Sequence, residues 1–344
     1  MDQKRSAGTV VDMVSGRIHR HGMAGLVCAA ALLATTLGLA PSAPGASGAS
    51  SSPPTLPQLE ADIAASASSF SSPNFARTIP PLGTTGSLEA QPSPVRTACF
   101  RQPATFSSLP ANLAETCGYG DLAARRTILM WGDSHAAMFA SAIDVLGQLL
   151  HWHVIAMSMS KCAPWLDPNS VDYFGGSTTD CNRFRSAVIA YANRMHPAAI
   201  WPIGLDGYYG RNRFPTASQL ATEMARLFAA VRPSRSRIVL IGATPFWPKD
   251  PQLCLAAEPN PVKCERSPAA LTRANVEAGF TIAASAARIA LNDVTPLFCT
   301  RSKCPLFVKG PDATRLVFMD QNHIYREYSM WIGAALGQIV GPHL

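Results

Sequence analysis

The chain has 344 residues, 47% of them hydrophobic and only 15% charged, with a formal net charge of +7 at pH 7. That length and apolar content allow one large domain or two small ones with a sizeable core, and the low charge content is ordinary for a secreted protein. The basic residues are scattered, with no Lys/Arg block interleaved with aromatics, so nucleic acid is not an expected partner; an anionic envelope surface or substrate is.

Residues 1–45 read as a signal peptide or N-terminal membrane anchor. Lys4, Arg5, Arg17 and Arg20 precede an apolar stretch from Met23 to Ala40, and small residues and prolines follow. This is the order of a secretory signal. The apolar run is near the lower limit for a membrane span, which keeps the uncleaved anchor as the alternative. Cys28 does not fit a lipoprotein cysteine, because Val27 stands where a small residue is needed. Residues 46–95 are rich in Ser, Pro, Ala and Gly, and are expected to form a flexible linker. The folded domain is expected over 96–344.

Within that domain, strand-like and helix-like stretches alternate. Thr127–Trp131, His153–Met157, Ala198–Ile203, Arg237–Ile241 and Arg288–Val294 read as five strands. His135–Leu150, Ser218–Val231, Ser267–Ala287 and Tyr325–Ile339 read as helices. Pro268 after Ser267 suits a first helical position. Near-continuous apolar strands separated by helices predict an α/β fold: a three-layer α/β/α sandwich around a central, mostly parallel five-stranded sheet.

Eight cysteines remain besides Cys28. They fall into close-spaced pairs, which suggests disulfides made in an oxidising compartment. Connectivity is not fixed by sequence. Sequential pairing is preferred because short loops close cheaply: Cys99–Cys117, Cys162–Cys181, Cys254–Cys264 and Cys299–Cys304. The second and third pairs are expected to staple loops at the sheet edge. Zinc is the rival reading, but Cys299 and Cys304 are too far apart for Cys-x-x-Cys and no matching pair exists, so no metal and no cofactor are expected.

Two segments carry chemistry. In Ile128-Leu-Met-Trp-Gly-Asp-Ser134-His-Ala136 an apolar strand stops at Gly132, and Ser134 opens a helix-like stretch. A serine hydroxyl needs a base to become a nucleophile, and a helix N-terminus offers N–H groups and a dipole suited to developing negative charge. Gly132 is expected to allow a tight turn and close approach of a substrate. The plainer role for Ser134 is a helix cap. Near the C-terminus, Asp320 and His323 stand three residues apart on a loop before the last helix. There the carboxylate can accept the imidazole Nδ1–H and leave the other nitrogen as a base. The plainer roles are a cap for Asp320 and a solvated loop histidine for His323.

Gly132-Asp133-Ser134 with Asp320 and His323 resembles the SGNH/GDSL hydrolase superfamily. The longer Trp131-Gly132-Asp133-Ser134-His135-Ala136, with Cys162-Ala163-Pro164-Trp165, is similar to the SGNH domain fused to acyltransferase type 3 membrane proteins. The resemblance spans roughly 96–344 and implies Ser134 as nucleophile, His323 as base and Asp320 as its orienter. The family's oxyanion hole takes the serine's own N–H, a glycine after the second strand and an asparagine after the third. Here Ser160-Lys161 stands at the second place and Gly204-Leu205-Asp206-Gly207 at the third, so main-chain donors at Ser134, Lys161 and Gly204 are the implied set. An ionised Asp206 would repel an oxyanion.

His135 projects about 100° from Ser134 on a helix, which makes it a packing or substrate-contact residue rather than the base. His151 and His153 read as structural, and Asp133 as a turn residue. Trp165, Trp201, Tyr208, Tyr209 and Trp247, near strand C-ends, are a weak hint of glycan stacking and equally suit a core. The expected function is an exported serine acyl-transfer enzyme, an O-acetyltransferase or acetylesterase acting on envelope polysaccharide, with a separate membrane acyltransferase as a possible acyl donor. Two alternatives stand beside it. One is an α/β-hydrolase, since Gly132-Asp133-Ser134-His135-Ala136 approaches Gly-x-Ser-x-Gly. The other is a non-catalytic glycan-binding protein on a degenerate scaffold.

Overall fold

The computed structural model describes residues 52–67, 69, 73–82, 99–101, 106–166, 178–204, 215–258 and 260–344. The chain divides into two units, Met1–Gly48 and Ala49–Leu344, and all that follows concerns the second. The expected targeting segment lies outside the described residues. No described helix is long and apolar enough to cross a membrane.

In chain order the elements are α1 (Leu56–Ser66), β1 (Phe100–Arg101), α2 (Leu113–Thr116), β2 (Gly118–Gly120), β3 (Thr127–Gly132), α3 (Ser134–Leu150), β4 (His153–Met159), α4 (Thr178–Met195) and β5 (Ala199–Ile203). Then come α5 (Ala217–Val231), β6 (Arg237–Ile238), β7 (Leu240–Ile241), α6 (Pro251–Ala257), α7 (Pro268–Leu271), α8 (Ala274–Ala287) and β8 (Leu291–Asn292). The chain closes with β9 (Phe307–Lys309), β10 (Thr314–Leu316), α9 (Arg326–Trp331) and α10 (Gly333–Val340).

The central sheet is mostly parallel. β3 pairs with β4 on one side and β5 on the other, β5 pairs with β6, and β7 pairs with β8. Val239, between β6 and β7, donates its N–H to the Ile200 carbonyl at 2.9 Å. The five expected strands therefore run in the order second, first, third, fourth, fifth, the flavodoxin-like winding. Four short strands were not foreseen: β9 and β10 pair with each other, and β1 and β2 use the outer edge of β4. β2 pairs antiparallel with its first half and β1 parallel with its end.

Side chains alternate across a strand. Ile128, Met130, Val154 and Trp201 enter one core, with residues of α3, α9 and α10. Leu129, Trp131, Ile155 and Ile200 enter the other, with residues of α4, α5 and α8. Helices thus cover both faces, which is why the strands read as unbroken apolar runs. All four expected disulfides are present, leaving none of those thiols for zinc.

Several expectations need correction. The predicted linker contains α1, whose Leu59 and Ile63 are fully buried and which packs against β9 and α10. The Leu56 N–H donates to the Gln338 side chain at 2.7 Å, and the Lys309 N–H to Ser66 Oγ at 2.8 Å. Leu56, Leu59 and Ile63 lie on one helical stripe, a signal diluted by the Ser/Pro/Ala-rich composition around it. Leu59→Ala should cost about 2–5 kcal/mol, read from the midpoint of denaturant unfolding.

The helix expected over Ser267–Ala287 is two helices, α7 and α8, parted at Thr272 and Arg273, where the Arg273 guanidinium stacks on Phe246 at 3.8 Å. The closing helix also breaks, at Ile332. A Cβ at Gly333 would lie 2.7 Å from Val145 on α3. Cys181 and Cys254 lie within α4 and α6 rather than in loops. Of the strand expected over Arg288–Val294, only Leu291 and Asn292 pair.

Candidate active site

β3 ends at Gly132, beside the Ile203 carbonyl of β5. A Cβ at Gly132 would sit 1.6 Å from that oxygen. Glycine is needed here for strand-to-strand approach, not for the substrate clearance expected from the sequence. Asp133 then caps α3, its carboxylate accepting the His135 N–H at 2.8 Å. The capping role available to Ser134 therefore belongs to Asp133, and Ser134 is the half-buried first residue of the helix. It stands at the C-terminal end of the first strand, where the winding reverses direction and ligand crevices form in open α/β sheets.

Asp320 and His323 arrive from the far end of the chain on a tight loop. The Met319 N–H donates to the His323 carbonyl at 2.8 Å, and Phe318 and Ile324 form a bridge. Asp320 Oδ1 accepts the N–H groups of Asn322 and His323, each at 2.8 Å. Asp320 Oδ2 accepts from His323 Nδ1 at 2.7 Å, and Ser134 Oγ lies 2.8 Å from His323 Nε2. The three expected residues are thus joined in one row. The N-cap position of the helix that follows is Tyr325, not Asp320. Burial pushes the Asp320 carboxyl up. The His323 side-chain bond and charge, with the two backbone N–H groups, outweigh that and hold it below the usual carboxylate value.

The loop is braced by two residues from outside it. The Trp247 backbone N–H donates to the Gln321 carbonyl at 2.6 Å, and the Gln252 side-chain amide donates to the Met319 carbonyl. Gln252 sits in the first turn of α6, and nothing in its local pattern marks it.

For the expected oxyanion donors the picture is mixed. The Ser160 N–H goes to the Arg101 carbonyl at 2.8 Å and the Cys162 N–H to Met159 at 3.1 Å. Lys161, between them, takes a φ of 61°, the left-handed region that favours glycine. The chain departs from the family's glycine in residue type but keeps the glycine-like backbone. Gly204 directly follows β5, where a Cβ would meet Pro164 Cδ at 2.4 Å. The buried Arg185 donates to the Ala163 carbonyl at 2.8 Å and steadies the same loop. Asp206, Gly207, Tyr208 and Tyr209 lie outside the described residues.

The aromatic hint is corrected for the three tryptophans. Trp165, Trp201 and Trp247 are at most 2% exposed and serve as core; Trp165 packs edge-on against Phe280 and Trp247 against Phe318. His151 and His153 lie by the N-terminal end of β4, bonded to Asp121 and to the Ala114 carbonyl, at the opposite end of the sheet from Ser134. His135 is buried beside His323 and lines a small cleft, partly open to solvent, with Gly204, Ile241, Gly242 and Phe280. Among the described residues, no group of His, Cys, Asp or Glu is arranged to hold a metal ion. The α/β-hydrolase alternative called for an acid on a separate loop, whereas Asp320 shares the loop of His323.

The family described as SGNH domain (fused to AT3 domains) matches residues 98–338, well over half of the chain. The chain belongs to that family. Membership places this SGNH domain in the acyltransferase and ester-hydrolase class. Among solved structures, it is similar to the periplasmic domain of the lipopolysaccharide acetyltransferase of Salmonella ser. Paratyphi A. There the identity is 17%, the TM-score 0.53, and the match covers 72% of this chain and 90% of that one. It also matches a mutant of an acetyl-xylooligosaccharide esterase from Geobacillus Stearmophilus, at 12% identity, TM-score 0.37, and 63% and 95% of the two chains. A lipase/acylhydrolase from Enterococcus faecalis matches at 10% identity, TM-score 0.35, and 63% and 96%. No curated protein matches. The four disulfides are of the kind that forms and persists in an oxidising compartment.

Proposed function

We propose that this SGNH domain is exported by its N-terminal segment and transfers acyl groups to or from an envelope polysaccharide through an acyl-enzyme on Ser134. The observation that carries the reading is the row Ser134 Oγ, His323 Nε2, His323 Nδ1 and Asp320 Oδ2, with contacts of 2.8 and 2.7 Å.

In the first step Ser134 Oγ attacks the acyl carbonyl carbon, and its proton passes to His323 Nε2. Asp320 holds the Nδ1–H and stabilises the imidazolium. The tetrahedral oxyanion forms at the N-terminus of α3, with main-chain N–H groups of Ser134, Lys161 and Gly204 as its donors. Collapse breaks the bond to the leaving alkoxide, which takes the proton back from His323. In the second step water or a sugar hydroxyl attacks the acyl-serine by the same proton route, releasing acid or acylated glycan.

Two things support a glycan acceptor and a membrane acyl donor. The matched family is the form of the domain fused to AT3 domains, and a neighbour whose match covers 72% of this chain is named for lipopolysaccharide acetyl transfer. The test is the O-acetyl content of envelope glycans in cells with and without the protein, with Ser134→Ala as the control. Loss of acetyl groups on deletion marks transfer; gain marks hydrolysis. Unchanged acetylation, together with no covalent labelling of Ser134 by a fluorophosphonate, would sink the proposal.

A further inference from the structure

His135 follows the nucleophile, yet it is only 3% exposed. Its ring lies against that of His323, with centroids 5.2 Å apart and planes inclined at 37°. Its Nε2 faces the side-chain amide nitrogen of Asn322 at 3.4 Å. Its Nδ1 is buried without a hydrogen bond, 3.4 Å from the Asp133 oxygen that already accepts the His135 backbone N–H.

An amide nitrogen can only donate, so Nε2 is the bare nitrogen and the ring proton sits on Nδ1, toward Asp133. Asn322 connects the two histidines. Its backbone N–H holds Asp320 Oδ1, while its side chain reaches His135. His135 therefore packs against the His323 ring in a tilted arrangement and also meets the loop that carries Asp320.

We propose that His135 is a positioning residue. It sets the plane of the His323 ring through its tilted ring contact and through Asn322, so that Nε2 stays aimed at Ser134 Oγ. The inference rests on the reading of His323 as the base. The Asp320 bond fixes one nitrogen of His323 but leaves the ring free to swing about that contact. The His135 contact removes this freedom. A misplacement of about 1 Å can cost about 100-fold in rate.

The test uses the whole chain with an aryl acetate substrate. His135→Ala should lower kcat by about 10- to 100-fold with KM within about twofold, and slow fluorophosphonate labelling of Ser134 in proportion. His135→Phe, which keeps a ring face but loses the acceptor nitrogen, should recover part of the loss. Asn322→Ala should lower kcat in the wild-type background and have little further effect in the His135→Phe background, because the two act as one unit. If His135→Ala fails to fold, the Phe and Asn322 pair decides alone. Wild-type kcat in His135→Phe and Asn322→Ala, or losses that simply multiply in the double variant, would overturn the inference. Ser134→Ala separates it from the underlying reading. Turnover retained there removes the acyl-enzyme itself, whereas a dead Ser134→Ala beside an unaffected His135→Phe/Asn322→Ala set removes only the positioning role.

Discussion

Ser134→Ala is expected to lower turnover of an aryl acetate by about 10⁴- to 10⁶-fold while leaving the fold intact. The size follows from removing the atom that forms the covalent intermediate, after which only binding and oxyanion stabilisation remain. Fold retention follows from the local structure. Asp133, not Ser134, caps α3, and the contact of Ser134 Oγ with His323 is the one the substitution removes. Alanine is the best helix former and suits the first turn. Steady-state kinetics and the mass of the protein after fluorophosphonate treatment give the result directly. Turnover within tenfold of wild type, with a normal unfolding transition, would exclude Ser134 as the acyl carrier.

The second large effect belongs to Asp320. Asp320→Asn keeps an acceptor for the Asn322 and His323 backbone N–H groups, so the loop should hold its shape. The position of Oδ2, however, becomes an amide that donates, and it faces His323 Nδ1 across 2.7 Å. The imidazole then adopts the wrong tautomer, with its proton on the nitrogen that must accept from Ser134. A loss of about 10⁴-fold in kcat is expected, with substrate binding little changed.

The same carboxylate has a consequence for stability. Its folded value lies below the ordinary 3.8, since the bonds from His323 and Asn322 outweigh the effect of burial. A depressed carboxylate contributes stability that is fully present above 3.8 and is lost as pH falls through the lower folded value. Acid unfolding of the wild type should therefore be steeper below that point than acid unfolding of Asp320→Asn. Parallel acid limbs would contradict the stabilised carboxylate.

Much of this was legible before folding. Ile128 to Trp131 reads as a strand because both faces of the sheet are covered, which leaves the run apolar without alternation. Gly132-Asp133-Ser134 and Asp320-x-x-His323 are visible because the chemistry within each block is local. The cysteine pairs are visible because each closes a short loop. Other features were not legible. α4 has the stripe Phe184, Val188, Tyr191 and Ala192, but it starts inside a polar stretch and behind a stapled cysteine. α1 is hidden in a composition that resembles a tether. The breaks at Arg273 and Ile332 come from a guanidinium finding Phe246 and from Gly333 meeting α3, contacts with residues far along the chain.

The residue types and spacings were enough for the strand–helix alternation, the close-spaced cysteines and the three candidate site residues. These depend on local periodicity, loop length and side-chain chemistry. Packing alone settled which glycine, tryptophan and histidine serve which purpose. Gly132 answers a carbonyl on β5, Trp165, Trp201 and Trp247 fill cores, Lys161 takes a glycine's backbone, and His135 lies on His323. Those roles are set by neighbours brought close through the winding of the sheet, and no window along the chain contains both partners.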